Sequence, residues 1–187
     1  MALLGQLWEE HRPRLLAMLA RRIDPSLAIR VGPEEVLSET FIDAGRGWRA
    51  FQAQSAMSAY AWLYGLARDR LIETWRRETR ACRDLRRELP WPEQSSVALG
   101  FSLVARNTGP SEAVVRGELR ERMNQALAVL KDSYREVLWM RHYEQLSFAE
   151  IGHVLGVTEN TATVRYVRAL KRLRECWATM HGEASDP

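Results

Sequence analysis

The chain has 187 residues, 46% of them hydrophobic and 27% charged, which is enough apolar material for one ordinary domain or two small ones and excludes a disordered protein. Its 27 basic and 24 acidic residues leave a net charge of only +3, so bulk charge argues weakly for nucleic acid and placement matters more. Cys82 and Cys176 lack paired ligand spacing, which excludes a disulfide framework or a cysteine zinc site and points to a reduced, cytoplasmic setting. All basic residues except Lys131 and Lys171 are arginines, whose planar fork suits phosphates and guanine edges; a GC-rich genome would give the same bias.

The N-terminus, MALLGQLWEEHRPRLLAML, mixes charges among its apolar residues and is expected to form an amphipathic helix ending near Asp24-Pro25, not a signal peptide. No stretch is apolar for long enough to span a bilayer, so no membrane insertion is expected. Gly32-Pro33-Glu34-Glu35 starts a second helix, with proline in the first turn and two acids on the positive end of the dipole. Its stripe is Val36, Leu37, Thr40, Phe41 and Ala44, and Gly45 and Gly47 predict an end near Trp48. After a polar loop at 52–55, a third helix is expected over 58–87. Its first half carries Tyr60, Trp62, Leu63, Leu66, Leu71, Ile72 and Trp75; its second carries Arg76, Arg77, Arg80, Arg83, Arg86 and Arg87. Taken alone, those arginines read as a solvated face paired with neighbouring acids. Following a cluster of aromatics, they also resemble a surface for single-stranded nucleic acid, with stacking platforms beside phosphate contacts.

Periodicity fails over 89–110, where three prolines, serines and glycines surround Val97, Leu99, Phe101 and Leu103. The expectation there is a linker with a brief extended segment or a docked apolar patch. Helices then return over 111–130, with Ser111 as cap, and over 132–143. The most informative stretch is 147–174, SFAEIGHVLGVTENTATVRYVRALKRLR. It predicts a helix burying Phe148, Ile151 and Leu155, with Gly152 allowing another helix close. Gly156 supplies a left-handed turn, and a second helix is capped by Thr158. The core stripe of that second helix is Ala162, Tyr166, Ala169, Leu170 and Leu173. Thr163, Val164 and Val167 face away from it, where the valines could meet a thymine methyl, and Asn160, Thr161, Arg165, Arg168, Lys171 and Arg172 line the polar side.

Catalysis finds little support. His11, His142, His153 and His181 lack metal-ligand spacing, no glycine-rich phosphate loop appears, and no serine occupies a nucleophile elbow. Glu35 and Glu39 share a helix face, which reads as an exposed acidic surface or a docking site for a basic partner. His153 is an idle surface residue or a phosphate contact.

Three ordered segments together resemble the extracytoplasmic-function (ECF) group of sigma-70-type bacterial sigma factors. EEVLSETF at 34–41 is similar to the region 2 segment that docks on the β′ clamp helices of RNA polymerase. AWLYGLARDRLIETWRR at 61–77 is similar to the Trp-Leu helix that leads into promoter-melting residues, and residues 134–174 resemble region 4, which binds the −35 element. The resemblance implies an all-α fold of two small helical domains: 1–88 as a region 2-like domain, 89–110 as a flexible linker, 111–178 as a region 4-like helix-turn-helix domain, and 179–187 as a tail. It implies that Glu35, Leu37, Ser38 and Glu39 face the polymerase. Phe51, Ser55 and Asp69 would lie near the −10 bases, with Arg68, Arg70, Arg76 and Arg77 on the melted strand and phosphates. Thr161, Thr163, Val164, Arg165, Val167, Arg168 and Lys171 would meet the −35 duplex. The implied partners are core RNA polymerase, through β′ and the β flap, and promoter DNA. The resemblance also admits an anti-sigma protein; it implies no cofactor, small-molecule substrate or enzymatic step. Ser38, Glu35, Asp69, Glu73 and Lys131 depart from the family's usual glutamine, aspartate, asparagine, aspartate and proline, changes that bear on polymerase contacts and promoter preference. Two other readings stand beside it: a stand-alone helix-turn-helix regulator, and a sigma relative that binds polymerase or an anti-sigma protein without initiating.

Overall fold

A computed structural model of the chain describes residues 2–53, 57–80, 91–105 and 113–181, without the side chains of 79–80, 105, 113–116 and 180–181. All regular elements among the described residues are helical, as expected. The chain divides into two compact units, Met1–Pro92 with His153–Leu155, and Glu93–Gly152 with Gly156–Pro187. None of the described helices is long and apolar enough to cross a membrane.

In the first unit, α1 (Ala2–Arg22) packs on α3 (Pro33–Ala53) and α4 (Ala59–Arg80), and the short α2 (Pro25–Ala28) turns the chain between α1 and α3. Asp24 caps α2 by accepting the Ser26 N–H at 2.9 Å, which is why the first helix stops where the Asp-Pro pair predicts. Leu4, Trp8, Leu15, Met18 and Leu19 of α1 meet Val36, Leu37 and Ala44 of α3 and Leu63, Tyr64, Leu71 and Trp75 of α4 in one core. Each large side chain buried this way contributes about 1.5–3 kcal/mol, so packing outweighs the weak helix propensity of the aromatic positions.

The expected end of α3 near Trp48 is corrected: the helix runs through Gly45 and Gly47 to Ala53. Tertiary packing overrides the glycines, because Trp48 is buried and the Trp62 ring lies against Gly47, 3.4 Å from where a Cβ would stand. Helix α4 starts as expected, with Ser58 Oγ accepting the Ala61 N–H at 3.2 Å. Ser55, Cys82, Arg83, Arg86, Arg87 and Ser111 lie outside the described residues.

The second unit holds α5 (Glu93–Ala105), α6 (Ala113–Ala128), α7 (Asp132–Leu138), a π-helical turn (Trp139–Tyr143), the start of α8 (Phe148–Leu155) through Gly152, and α9 (Glu159–His181). The expectation of an irregular or extended segment within 89–110 is corrected for residues 93–105, which are helical and pack on α6 and the π turn. Ser95, Leu99, Leu103 and Val104 are buried while Val97 and Phe101 are exposed, a helical period. Apolar residues on the outward face too made that period look like alternation. Ser102 Oγ donates to the His142 carbonyl at 2.9 Å and ties α5 to the π turn. There the Glu144 N–H donates back to Trp139 O at 3.0 Å, and the buried Glu144 carboxylate accepts the Trp139 indole N–H at 2.9 Å. Cys176 is a buried packing residue of α9.

Candidate nucleic-acid interface

The helix-turn-helix is built from local constraints. Ser147 and Glu150 form a reciprocal capping box at the start of α8: Glu150 N–H donates to Ser147 Oγ at 3.2 Å, and Ser147 N–H donates to the Glu150 carboxylate at 2.8 Å. The Ser-x-x-Glu spacing at 147–150 is the signature of that box in the sequence. At the other end Gly156 takes φ 64°, and the Val157 N–H donates to Gly152 O at 2.9 Å, the double-turn closure that a left-handed residue permits. Gly152 is buried, and its close neighbours are the turn and the first residue of α9. A Cβ there would stand 2.9 Å from Val157 O and 3.2 Å from Glu159 N, so the missing side chain makes room for the turn itself. Thr158 caps α9 as expected, accepting the Thr161 N–H at 3.2 Å.

Helix α9 buries Ala162, Ala169, Leu173 and Cys176. Tyr166 is half-buried, its hydroxyl 3.0 Å from His142 Nε2 and its ring beside Phe148, which supports its reading as a packing residue. On the outward side, Val164, Val167, Arg168 and Lys171 are exposed, and Thr161, Thr163 and Arg165 are half-buried. These seven residues lie on one helix and share its first four turns. His153 is exposed.

The first unit is different. Leu37, expected to face a partner, is corrected: it is 1% exposed and belongs to the α1–α3–α4 core, so of the four expected contact residues Glu35 and Ser38 are fully at the surface. Phe41 and Ile42 are exposed beside them. Glu39 is half-buried and bridges to Arg70 at 3.7 Å and Arg77 at 3.8 Å. Arg70, expected on phosphates, lies among carboxylates from both helices. It donates through Nε to Asp43 at 3.0 Å, with its Nη2 also on Asp43, and through Nη1 to Glu73 at 2.9 Å. Its guanidinium is held above its ordinary pKa, first by the Asp43 hydrogen bond and further by the charges of Asp43, Glu73 and Glu39, against the opposing effect of partial burial. Asp43 was missing from the sequence reading because nothing local marks a residue that pairs 27 positions away.

Tyr60, Tyr64 and Trp75 are core residues, so the expected aromatic surface reduces to Phe51 and Trp62. Their rings are stacked at 4.3 Å and 10°, with the buried Trp48 at 5.7 and 6.0 Å from them. Asp69 is exposed and accepts from Arg68 at 2.9 Å; Arg76 and Arg77 are exposed farther along α4. Trp62 joins the candidate site through its contact with Phe51, a pairing that the separation of the two residues in sequence conceals.

The Sigma-70 region 2 family model matches residues 7–81, and the Sigma-70, region 4 model matches residues 120–173. The ECF RNA polymerase sigma factor SigW of Bacillus subtilis (strain 168) is 28% identical over 142 residues, covering 76% of this chain and 73% of its own. The ECF RNA polymerase sigma factor SigK of Mycobacterium tuberculosis (strain ATCC 25618 / H37Rv) is 27% identical over 148 residues, covering 76% and 71%. The fold resembles that of the sigma factor RpoE, solved in complex with the anti-sigma factor NepR from Bartonella quintana. The TM-score is 0.59 at 18% identity, over 94% of this chain and 97% of that one. With both regions matched in order over most of its length, the chain belongs to the ECF group of the sigma-70 family of bacterial RNA polymerase sigma factors.

Proposed function

We propose that this chain binds core RNA polymerase in the cytoplasm and directs promoter-specific initiation by gripping DNA at two points. The observation that carries the reading is the pairing, on one chain, of a region 2 match over α1 to α4 with a region 4 match that includes the basic outward face of α9. The α3 surface of Glu35 and Ser38, with the exposed Phe41 and Ile42, docks on the β′ clamp helices. Phe51, Asp69, Arg68, Arg76 and Arg77 serve the −10 strand, while Arg70 holds α4 on α3. Thr161, Thr163, Val164, Arg165, Val167, Arg168 and Lys171 meet the −35 duplex, next to the β flap. The roles follow the domain division into 1–88 and 111–178, with an anti-sigma protein as a further partner. The work is binding and strand separation, with no bond made by the protein. A stand-alone regulator would leave the region 2 match over residues 7–81 without a use.

Run-off transcription with core polymerase, the purified chain and a library of fragments from its own genome tests the proposal. Discrete transcripts that require the chain are expected. Folded protein that associates with polymerase but starts no transcript would favour the non-initiating relative.

A further inference from the structure

Among the residues expected to face polymerase, Glu39 is the one that pairs with residues expected to face DNA. Its carboxylate stands between Arg70 Nε at 3.7 Å and Arg77 Nη1 at 3.8 Å, both beyond hydrogen-bond length. The Oε2 atom of Glu39 is buried and has no hydrogen-bond partner among the described residues. A carboxylate oxygen in that state costs free energy until a donor reaches it. The two arginines around it differ. Arg70 is 20% exposed and hydrogen-bonded to Asp43 and Glu73, so it stays committed whatever Glu39 does. Arg77 is 52% exposed and makes only long ion pairs, to Glu39 and, at 3.5 Å, to Glu78. Exposed pairs of that kind are weak and open readily. Along α3, Glu35, Glu39 and Ile42 follow one another at three or four positions and share a face, on which Glu35 and Ile42 are exposed. A partner that docks across Glu35 and Ile42 therefore passes over Glu39.

We infer that Glu39 is a carboxylate shared between two surfaces: it holds Arg77 in the isolated chain and passes to a basic side chain of core polymerase on docking, which releases Arg77 to the phosphates of the melted strand. The inference rests on the assignment of α3 to polymerase and of Arg77 to the −10 strand. Each binding event alone must open the Glu39–Arg77 pair, and the second event finds it already open. Docking and strand binding therefore favour each other, and linkage makes the coupling equal in both directions. Exchange of a single exposed ion pair sets its size at about two- to fivefold.

The test measures the affinity of the full chain for core polymerase with and without a saturating single strand, taken from the −10 region of a promoter found by the run-off assay. The ratio of the two dissociation constants is the coupling factor. Glu39→Gln keeps the side-chain shape and removes the charge. It should raise the isolated chain's affinity for the strand by about two- to fivefold and lower the coupling factor by a similar amount. Adding Arg77→Ala to Glu39→Gln should cancel the gain in strand affinity. Arg77→Ala alone, at an exposed position, should lower the coupling factor as far as Glu39→Gln does, so the test does not hang on one variant folding. Glu78→Gln separates exchange from net charge. Glu78 pairs with Arg77 from the same helix, so its loss should raise strand affinity and leave the coupling factor as it was. A Glu39→Gln chain with unchanged strand affinity or unchanged coupling would overturn the inference, as would a Glu78→Gln chain that loses coupling equally. A parent chain that binds both partners without coupling would do the same. A parent chain that binds polymerase but not the strand, or binds neither, would instead remove the assignments on which the inference rests.

Discussion

The helix-turn-helix and the α3–α4 pair reach their surfaces by different routes. In the first, each constraint lies within a few residues: the Ser147–Glu150 box, the bare Gly152, the left-handed Gly156 and the Thr158 cap. The outward face of α9 follows almost automatically. In the second, the surface is decided by contacts across the bundle. Arg70 reaches Asp43 and Glu39 on another helix, Trp62 stacks on Phe51, and Leu37 sinks into a core although Glu35 and Glu39 lie two positions to either side. Local rules therefore locate the helix proposed to read DNA well, whereas the proposed docking and melting surface needs the tertiary arrangement.

The sharpest way to break this contrast is at Leu37 and Glu35, two positions apart on α3. Leu37→Ala should destabilise the first unit by about 2–5 kcal/mol through lost burial and a cavity. Glu35→Lys should shift stability by no more than about 0.5 kcal/mol while weakening association with core polymerase. Thermal unfolding and a polymerase-binding titration would read both. A mild Leu37→Ala would place that residue at the surface and return it to the docking face.

Gly152→Ala comes next, with an expected loss of about 1–3 kcal/mol from pressing a methyl onto the Val157 carbonyl, even though alanine is the better helix former. A stabilised variant would show that the turn can relax and that its closure is less tight than its backbone geometry implies. A smaller effect is expected at Arg70, and the smallest effect on stability at Arg168. Arg70→Ala should cost about 1–2 kcal/mol, because it leaves Asp43, Glu39 and Glu73 facing one another without their common cation. Arg168→Ala should leave stability within about 0.5 kcal/mol and lower promoter binding. If Arg70→Ala leaves unfolding unchanged but weakens DNA binding, Arg70 is a phosphate contact after all.

Most of the architecture was legible in the sequence. The caps and turns at Asp24, Pro33, Gly156 and Thr158 are short-range, and apolar spacing marked the long helices. Helix α5 was not, since apolar residues on its inner and outer faces blur any period. The overrun of α3 past Trp48 was hidden because Gly47 is compensated by Trp62, a residue on the next helix. The site followed the same division. The exposed valines and arginines of α9 were readable from helical spacing. The burial of Leu37 and the engagement of Arg70 were not, because acids nearby in the chain say little about which residue of another helix covers a side chain.

The central claim is the two-point grip, and a permanganate and nuclease footprint of holoenzyme on a promoter fragment tests it most directly. The account predicts an upstream protected segment together with reactive, unpaired thymines downstream, both requiring core polymerase, and loss of the upstream protection with Arg168→Ala. A single symmetric protected site formed by the chain alone, with no reactive thymines when polymerase is added, would contradict it.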